Sequence, residues 1–419
     1  MKINITKTYY TLCIFLERLG FNFLFKIAFN ELVYIKIFFT ILFLFYVLQQ
    51  VYPFREFTAI KTVFIYTIVA LGIIKKKYYN LKNIPLLFNI GFMLILLICV
   101  IGVYQGIYSE FEYIHIYGDA SKVVILPILF YFFYINITSR DNFYAALLFI
   151  SKFAAVSAAT IGLLYFANIV EDNRVNYLLS YIPIAYMVYN GTRNNSRISL
   201  FILLFLLILI PFTKGIGILV SLMVFYFALV SRDARQIKSI IYLFFILILA
   251  FLIASSSQVI DSRVLGKLQI IFSDEYSSIY IMEYIMAGRL TEIMSVIYGN
   301  NIIIGNGFGA NISPVLIDDS LMPWYDGLML SMSHSMHSVM AELILKVGIV
   351  GLVVVIYYYL TLLRRSFSLK TKEGKIIFAI SVMIFQGMIV GQPLVDAFII
   401  PMLFLGYIVK SSSWQKRTL

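Results

Sequence analysis

The sequence predicts an all-α polytopic membrane protein with about twelve transmembrane helices. Composition is the first reason. Of 419 residues, 61% are hydrophobic and 13% charged, whereas soluble domains are about a quarter charged. Mean hydropathy is +0.92. The second reason is the shape of the apolar runs, which are long and unbroken. Lipid offers a bare backbone no hydrogen-bond partner, so a spanning segment is a helix or a strand in a closed barrel. Barrel strands are short and alternate in polarity, which these runs do not. The third reason is charge placement, set out below.

Residues 1–32 precede the first span. Thr11 to Phe29 is apolar but carries Glu17, Arg18 and Lys26 and lacks a small-residue cleavage site. It reads as an interfacial amphipathic helix, not a cleaved signal peptide. Spans one to nine occupy residues 33–254. They are Val33–Gln50, Ala59–Ile74, Leu86–Gln105, Val123–Ile137, Ala145–Ala167, Asn176–Tyr189, Ile198–Phe212, Gly215–Val230 and Ile240–Ala254. A long loop follows over residues 255–336. Within it, Val264–Phe272 and Tyr280–Tyr298 have the apolar periodicity of short helices. Residues 337–419 hold the last three spans, Ser338–Leu363, Ile376–Val390 and Ala397–Val409, and a tail.

Cations cluster on the cytoplasmic side of membrane proteins. With a cytoplasmic N-terminus, the even-numbered spans end on that side. Those ends carry Lys75-Lys76-Lys77, Arg140, Arg193 with Arg197, Arg232 with Arg235 and Lys238, Arg364-Arg365 with Lys370 and Lys372, and Lys410 with Lys416 and Arg417. The pattern accounts for most of the net charge of +12, so nucleic acid is not an expected partner. Few cations fall outside. They are Lys122, Arg174, Lys214, Arg263, Lys267 and Arg289, with Lys346 inside the tenth span. Cys13 and Cys99 are far apart in apolar surroundings, which argues against a disulfide framework or a metal cluster.

The long outside loop is the expected seat of function, because long loops in compact proteins usually carry it. No internal repeat supports an inverted-repeat transporter. The histidines are His115, His334 and His337. His115 reads as a helix-end residue with a local hydrogen bond. His334 and His337 stand at the mouth of a span, three residues apart. Zinc is a rival reading for that pair, but no third ligand is evident. Arg289 lies upstream in the same loop. Its guanidinium suits a phosphate and keeps its charge at any relevant pH. Gly305, Gly307 and Gly309 either make a tight turn or let backbone approach a ligand. Arg174, in "VEDNRVNY", and Lys214, in "PFTKGIG", are charges near the membrane that either snorkel to the interface or bind an anion.

One segment resembles the bacterial O-antigen polymerase and O-antigen ligase superfamily, closest to the polymerases. The resemblance rests on His337, Gly348 and Gly351 in "HSVMAELILKVGIVGLVV". It also rests on the upstream Gly288-Arg289 and the glycine-rich "GNGFG". It covers Ala287 to Val354 well. Asn173-Arg174 and the span count extend it loosely. Three positions depart from the pattern: Ser338 replaces an asparagine, Lys346 a glutamate and Lys214 an arginine.

The resemblance implies a GT-C-like membrane fold and an inverting glycosyltransferase that needs neither metal nor other cofactor. Its donor and acceptor would be undecaprenyl-diphosphate-linked oligosaccharides at the periplasmic face of the inner membrane. A polymerase moves the growing chain onto a new lipid-linked repeat unit, and a ligase moves it onto the lipid A core. A membrane transporter is the weaker alternative. Membrane lipid and a chain-length regulator protein are the remaining expected partners. In the expected chemistry, His337 takes the proton of the attacking hydroxyl. Arg289 and Arg174, with Lys214 third, stabilise the departing diphosphate. His334, Glu342 and Gly307 are secondary substrate contacts. Asp318-Asp319 reads as loop polarity, not a metal motif.

Overall fold

The computed structural model describes residues 32–51, 55–74, 84, 86–166, 289–299, 301–311, 338–369, 371–390 and 394–415. These form nine helices and no strand. In chain order they are α1 (Val33–Val51), α2 (Arg55–Ile74), α3 (Leu86–Tyr108), α4 (Tyr113–Asn136), α5 (Arg140–Phe166), α6 (Arg289–Gly299), α7 (Val339–Ser368), α8 (Lys372–Val390) and α9 (Leu394–Gln415). The expected spans from Asn176 to Ala254, the amphipathic segment before residue 32 and the stretch Val264–Phe272 lie outside the described residues.

Three described helices are long and apolar enough to cross a membrane: Phe88–Tyr108, Tyr113–Asn136 and Val339–Ser368. Shorter apolar helices cover Val33–Phe45, Ile60–Ile74 and Phe398–Ser411. Met93, Leu97 and Val100 of α3 and Val63 of α2 are more than half exposed. Large apolar side chains displayed this way suit a hydrocarbon surround. The described residues are those of an all-helical membrane protein.

α4 is the central helix, packed most extensively on α9 and also on α1, α2 and α3. Its phenylalanines explain this. Phe130, Phe132 and Phe133 are fully buried. Phe38 of α1 meets Phe133 edge-on at 5.8 Å, and Phe92 of α3 meets Phe130 at 4.9 Å. Small residues admit these rings. A Cβ on Gly72 of α2 would stand 2.5 Å from the Phe132 ring, and one on Gly406 of α9 would stand 2.8 Å from the Tyr134 nitrogen. In lipid, such close backbone approach replaces the hydrophobic effect as the main packing force.

The helix ends sort by chemistry. At one end, Arg140 pairs with Glu373, and the Tyr144 hydroxyl donates to the same carboxylate at 2.6 Å. Lys410 is buried and donates to the Tyr134 carbonyl at 2.9 Å, which satisfies an orphan carbonyl in the last turn of α4. Arg365 lies 5.3 Å from the Phe88 ring centre. Lys410, Arg140 and Arg365 are among the cations assigned to the cytoplasmic side from sequence. The opposite end holds the α3–α4 turn, α6 and the segment 301–311.

α4 begins at Tyr113, whereas the sequence reading began its span at Val123. The physical reason is polarity. His115, Asp119 and Lys122 interrupt hydropathy in the first turns without interrupting the helix. α6 coincides with the second half of the short helix expected over Tyr280–Tyr298.

Candidate functional site

α7 is broken at Gly348, which adopts φ 69°, ψ −174° inside an otherwise helical run. A break frees backbone groups that lipid cannot satisfy, so protein must. The glycine segment fills the gap. Asn306 and Gly307 amides donate to the carbonyls of Leu345 and Lys346 at 2.8 and 3.2 Å. In return, the Ile349 and Val350 amides donate to the carbonyls of Ile302 and Ile303 at 2.8 and 3.4 Å. On its other side the segment meets α3, where the Phe308 amide donates to the Gly102 carbonyl at 2.9 Å.

Glycine is required on both partners. A Cβ on Gly348 would lie 2.2 Å from the Ile303 oxygen, and one on Gly106 would lie 2.3 Å from the Phe308 oxygen. One on Gly307 would lie 2.8 Å from the Gly106 nitrogen. Gly305, Gly307 and Gly309 all have positive φ, which glycine adopts without steric cost. The segment does turn tightly, the Ala310 amide donating to the Gly307 carbonyl at 3.4 Å, and the surfaces its backbone approaches are α3 and α7.

Four charged side chains close over this junction. Asp119 of α4 accepts from the Gly309 amide at 2.9 Å. The same carboxylate pairs with Lys346 at 2.9 Å and with Lys122 at 3.3 Å. Lys346 also donates to the Ala310 carbonyl at 2.6 Å. Lys122 donates to Glu342 at 2.9 Å. Asp119, Glu342 and Lys346 are almost fully buried, while the Lys122 side chain is 33% exposed. Two carboxylates thus balance two ammonium groups, the arrangement a low-dielectric site demands. A void of about 10 Å³ lies between Asp119, Lys122, Phe308, Glu342 and Lys346, near the lower limit for one water. Among the described residues, no group of His, Cys, Asp and Glu could hold a metal ion.

Removing Lys346 leaves two buried carboxylates sharing one ammonium group. Lys346→Met should therefore lower stability by about 3–5 kcal/mol. The double variant Asp119→Asn with Lys346→Met should recover part of that loss, because Lys122 and Glu342 then balance one another. Thermal unfolding in detergent measures both. Equal melting of the single variant and wild type would contradict the clamp.

A second junction joins α6 to the start of α7. The Ser338 amide donates to Glu292 Oε2 at 3.1 Å. Ser338 caps α7, and its hydroxyl oxygen accepts from the Ala341 amide at 3.5 Å. Glu292 belongs to the first turn of α6, which opens with Arg289. Ser338 directly follows His337. The contact therefore ties the first turn of α6 to the start of α7.

The expected site residues fall as follows. Arg289 heads α6, Gly307 lies in the glycine segment and Glu342 pairs with Lys122. His337, His334, Arg174 and Lys214 lie outside the described residues. His115 is a helix-end residue, 3.2 Å from Glu112. Sequence reasoning missed Asp119 and Glu292. The signal for Asp119 was the run Asp119-Ala120-Ser121-Lys122, with opposite charges one helical turn apart in a membrane-crossing segment. No family model matches this chain, and no curated protein matches it significantly.

Proposed function

We propose that this protein is an O-antigen polymerase: an inverting, metal-independent glycosyltransferase with a GT-C-like fold in the bacterial inner membrane. It transfers an undecaprenyl-diphosphate-linked chain onto a new lipid-linked repeat unit at the periplasmic face. The observation that carries this reading is the hydrogen bond from the Ser338 amide to Glu292. Arg289 stands one turn before Glu292, on the same face of α6. The bond ties the first turn of α6, which Arg289 opens, to the start of α7 across 46 residues.

The chemistry follows from the two side chains. A neutral imidazole at His337 accepts the proton of the attacking hydroxyl. The new glycosidic bond forms at the anomeric carbon as its bond to the diphosphate oxygen breaks. Arg289, with Arg174 and Lys214, takes up the charge that develops on the diphosphate. His334, Glu342 and Gly307 contribute at the edge of the site.

An O-antigen ligase is the alternative, and a membrane transporter the weaker one. Broken helices and buried charges mark many transporter sites, and α7 and the four-charge cluster supply both. The first reading is preferred because the break is filled by segment 302–308 and the charges are paired.

Surface lipopolysaccharide from a deletion strain distinguishes the readings on a gel. Core bearing one repeat unit is the expected result. Bare core with accumulating lipid-linked polymer would identify a ligase instead. Unaltered lipopolysaccharide would contradict both transferases.

A further inference from the structure

We propose that the seam between α3 and α7 is a binding site for an anionic phospholipid, whose phosphate is held by Arg364 and Arg365. The site is independent of the transferase chemistry.

The two helices run antiparallel. A Cβ on Gly351 of α7 would come 3.7 Å from the Ile98 side chain of α3. Seven residues further along α7, the Tyr358 hydroxyl donates to the Phe88 carbonyl at 3.0 Å. A Cβ on Gly91 would meet the same tyrosine, so Gly91 and Tyr358 mark the facing sides of the pair. Successive residues of a helix stand about 100° apart. Ile90 and Tyr357 each lie one residue before the facing position. In an antiparallel pair, that step turns both to the same side of the seam. Leu94 and Leu97 continue that side along α3, and Val353 and Leu360 along α7. All six side chains are exposed. They make one apolar band over the seam.

The band ends in charge. Arg364 continues the spacing of Tyr357 and Leu360 by one more turn and is exposed. Arg365 stands beside it, with its guanidinium 5.3 Å from the Phe88 ring centre. The ring attracts that cation but supplies no oxygen acceptor. At this end of the bundle Glu373 is engaged by Arg140 and Tyr144. Among the described residues, no carboxylate pairs with Arg364 or Arg365. Two adjacent cations repel one another, and an anion placed between them relieves that repulsion. A phosphodiester matches the planar fork of arginine. Its acyl chains would lie along the apolar band, from which a soluble anion gains nothing. Charge at one end and hydrocarbon along the rest therefore select a lipid.

The test titrates phosphatidylglycerol into the full-length protein in zwitterionic detergent and counts bound lipid by native mass spectrometry. Arg364→Gln changes an exposed position and should weaken binding about fivefold. Arg364→Gln with Arg365→Gln should weaken it about tenfold or more. Arg364→Lys with Arg365→Lys keeps both charges and should remain within about threefold of wild type. Phosphatidylcholine should bind wild type more weakly and with no dependence on the two arginines. Inorganic phosphate at the same concentration should displace none of the bound phosphatidylglycerol.

Equal phosphatidylglycerol binding by wild type and the glutamine variants would overturn the proposal. So would phosphatidylcholine binding as tightly as phosphatidylglycerol. Displacement of the lipid by inorganic phosphate would identify a site for a soluble anion instead.

Discussion

Gly348→Ala is expected to separate α7 from the glycine segment and to deplete folded protein from the membrane. Two effects add. The backbone at φ 69°, ψ −174° lies in a region that glycine alone populates readily, and strain there costs about 1–3 kcal/mol. The new Cβ would also lie 2.2 Å from the Ile303 carbonyl oxygen and 2.6 Å from the Gly305 nitrogen. Those atoms belong to the backbone segment that satisfies the broken helix, so retreat would expose Ile349 and Val350 amides to an apolar surround. Each buried unsatisfied group costs a further ~1–3 kcal/mol. Gly351→Ala is the matched control. Its Cβ would meet Val347 Cγ2 at 2.3 Å and Cβ at 2.8 Å, which calls for a local shift at Val347 that needs no positive φ and leaves the segment 302–305 in place. Detergent melting should drop steeply for Gly348→Ala and modestly for Gly351→Ala. Equal melting of the two variants would contradict the account of the break.

His337→Ala and Arg289→Ala should each abolish detectable elongation while protein level and membrane insertion persist. A positioned general base contributes about 10²–10⁴-fold. A preorganised group that stabilises developing negative charge contributes about 10²–10³-fold. Losing either takes a slow polymerisation below detection. Arg289→Lys should retain partial activity, since lysine supplies charge without the planar fork that grips two phosphate oxygens. The readouts are the polymer ladder on a gel and protein level by blot. Full-length polymer from His337→Ala would remove the base from the mechanism.

Much of the architecture was legible in the sequence because apolar length and charge placement are local properties. α1, α3 and α8 start at the residue expected from hydropathy or within a few of it, and Lys410, Arg140 and Arg365 share one end of the bundle as positive-inside placement required. The early start of α4 was hidden because its first turns carry His115, Asp119 and Lys122. Gly348 and Gly351 stood out as a spaced pair, but the reason for Gly348 did not. Its partner is the backbone of residues 302–305, and no side-chain pattern announces a backbone contact. Lys122 and Lys346 were conspicuous as charges on the wrong side or inside a span. Their neutralising partner Asp119 was not, because it meets the Gly309 amide across 190 residues. Glu292 was silent for the same reason. It looks like an ordinary first-turn acid of α6 until α7 is placed beside it.

On the proposed function, this chain itself joins lipid-linked glycans, using His337 and Arg289 and no metal. Purified full-length protein in lipid vesicles, given lipid-diphosphate-linked repeat units in the presence of a metal chelator, tests it directly. Oligomers of the repeat unit and one free lipid diphosphate for every linkage formed are expected, with both products lost in His337→Ala. Unchanged repeat units with no lipid diphosphate released by wild-type protein, or equal release by His337→Ala, would contradict it.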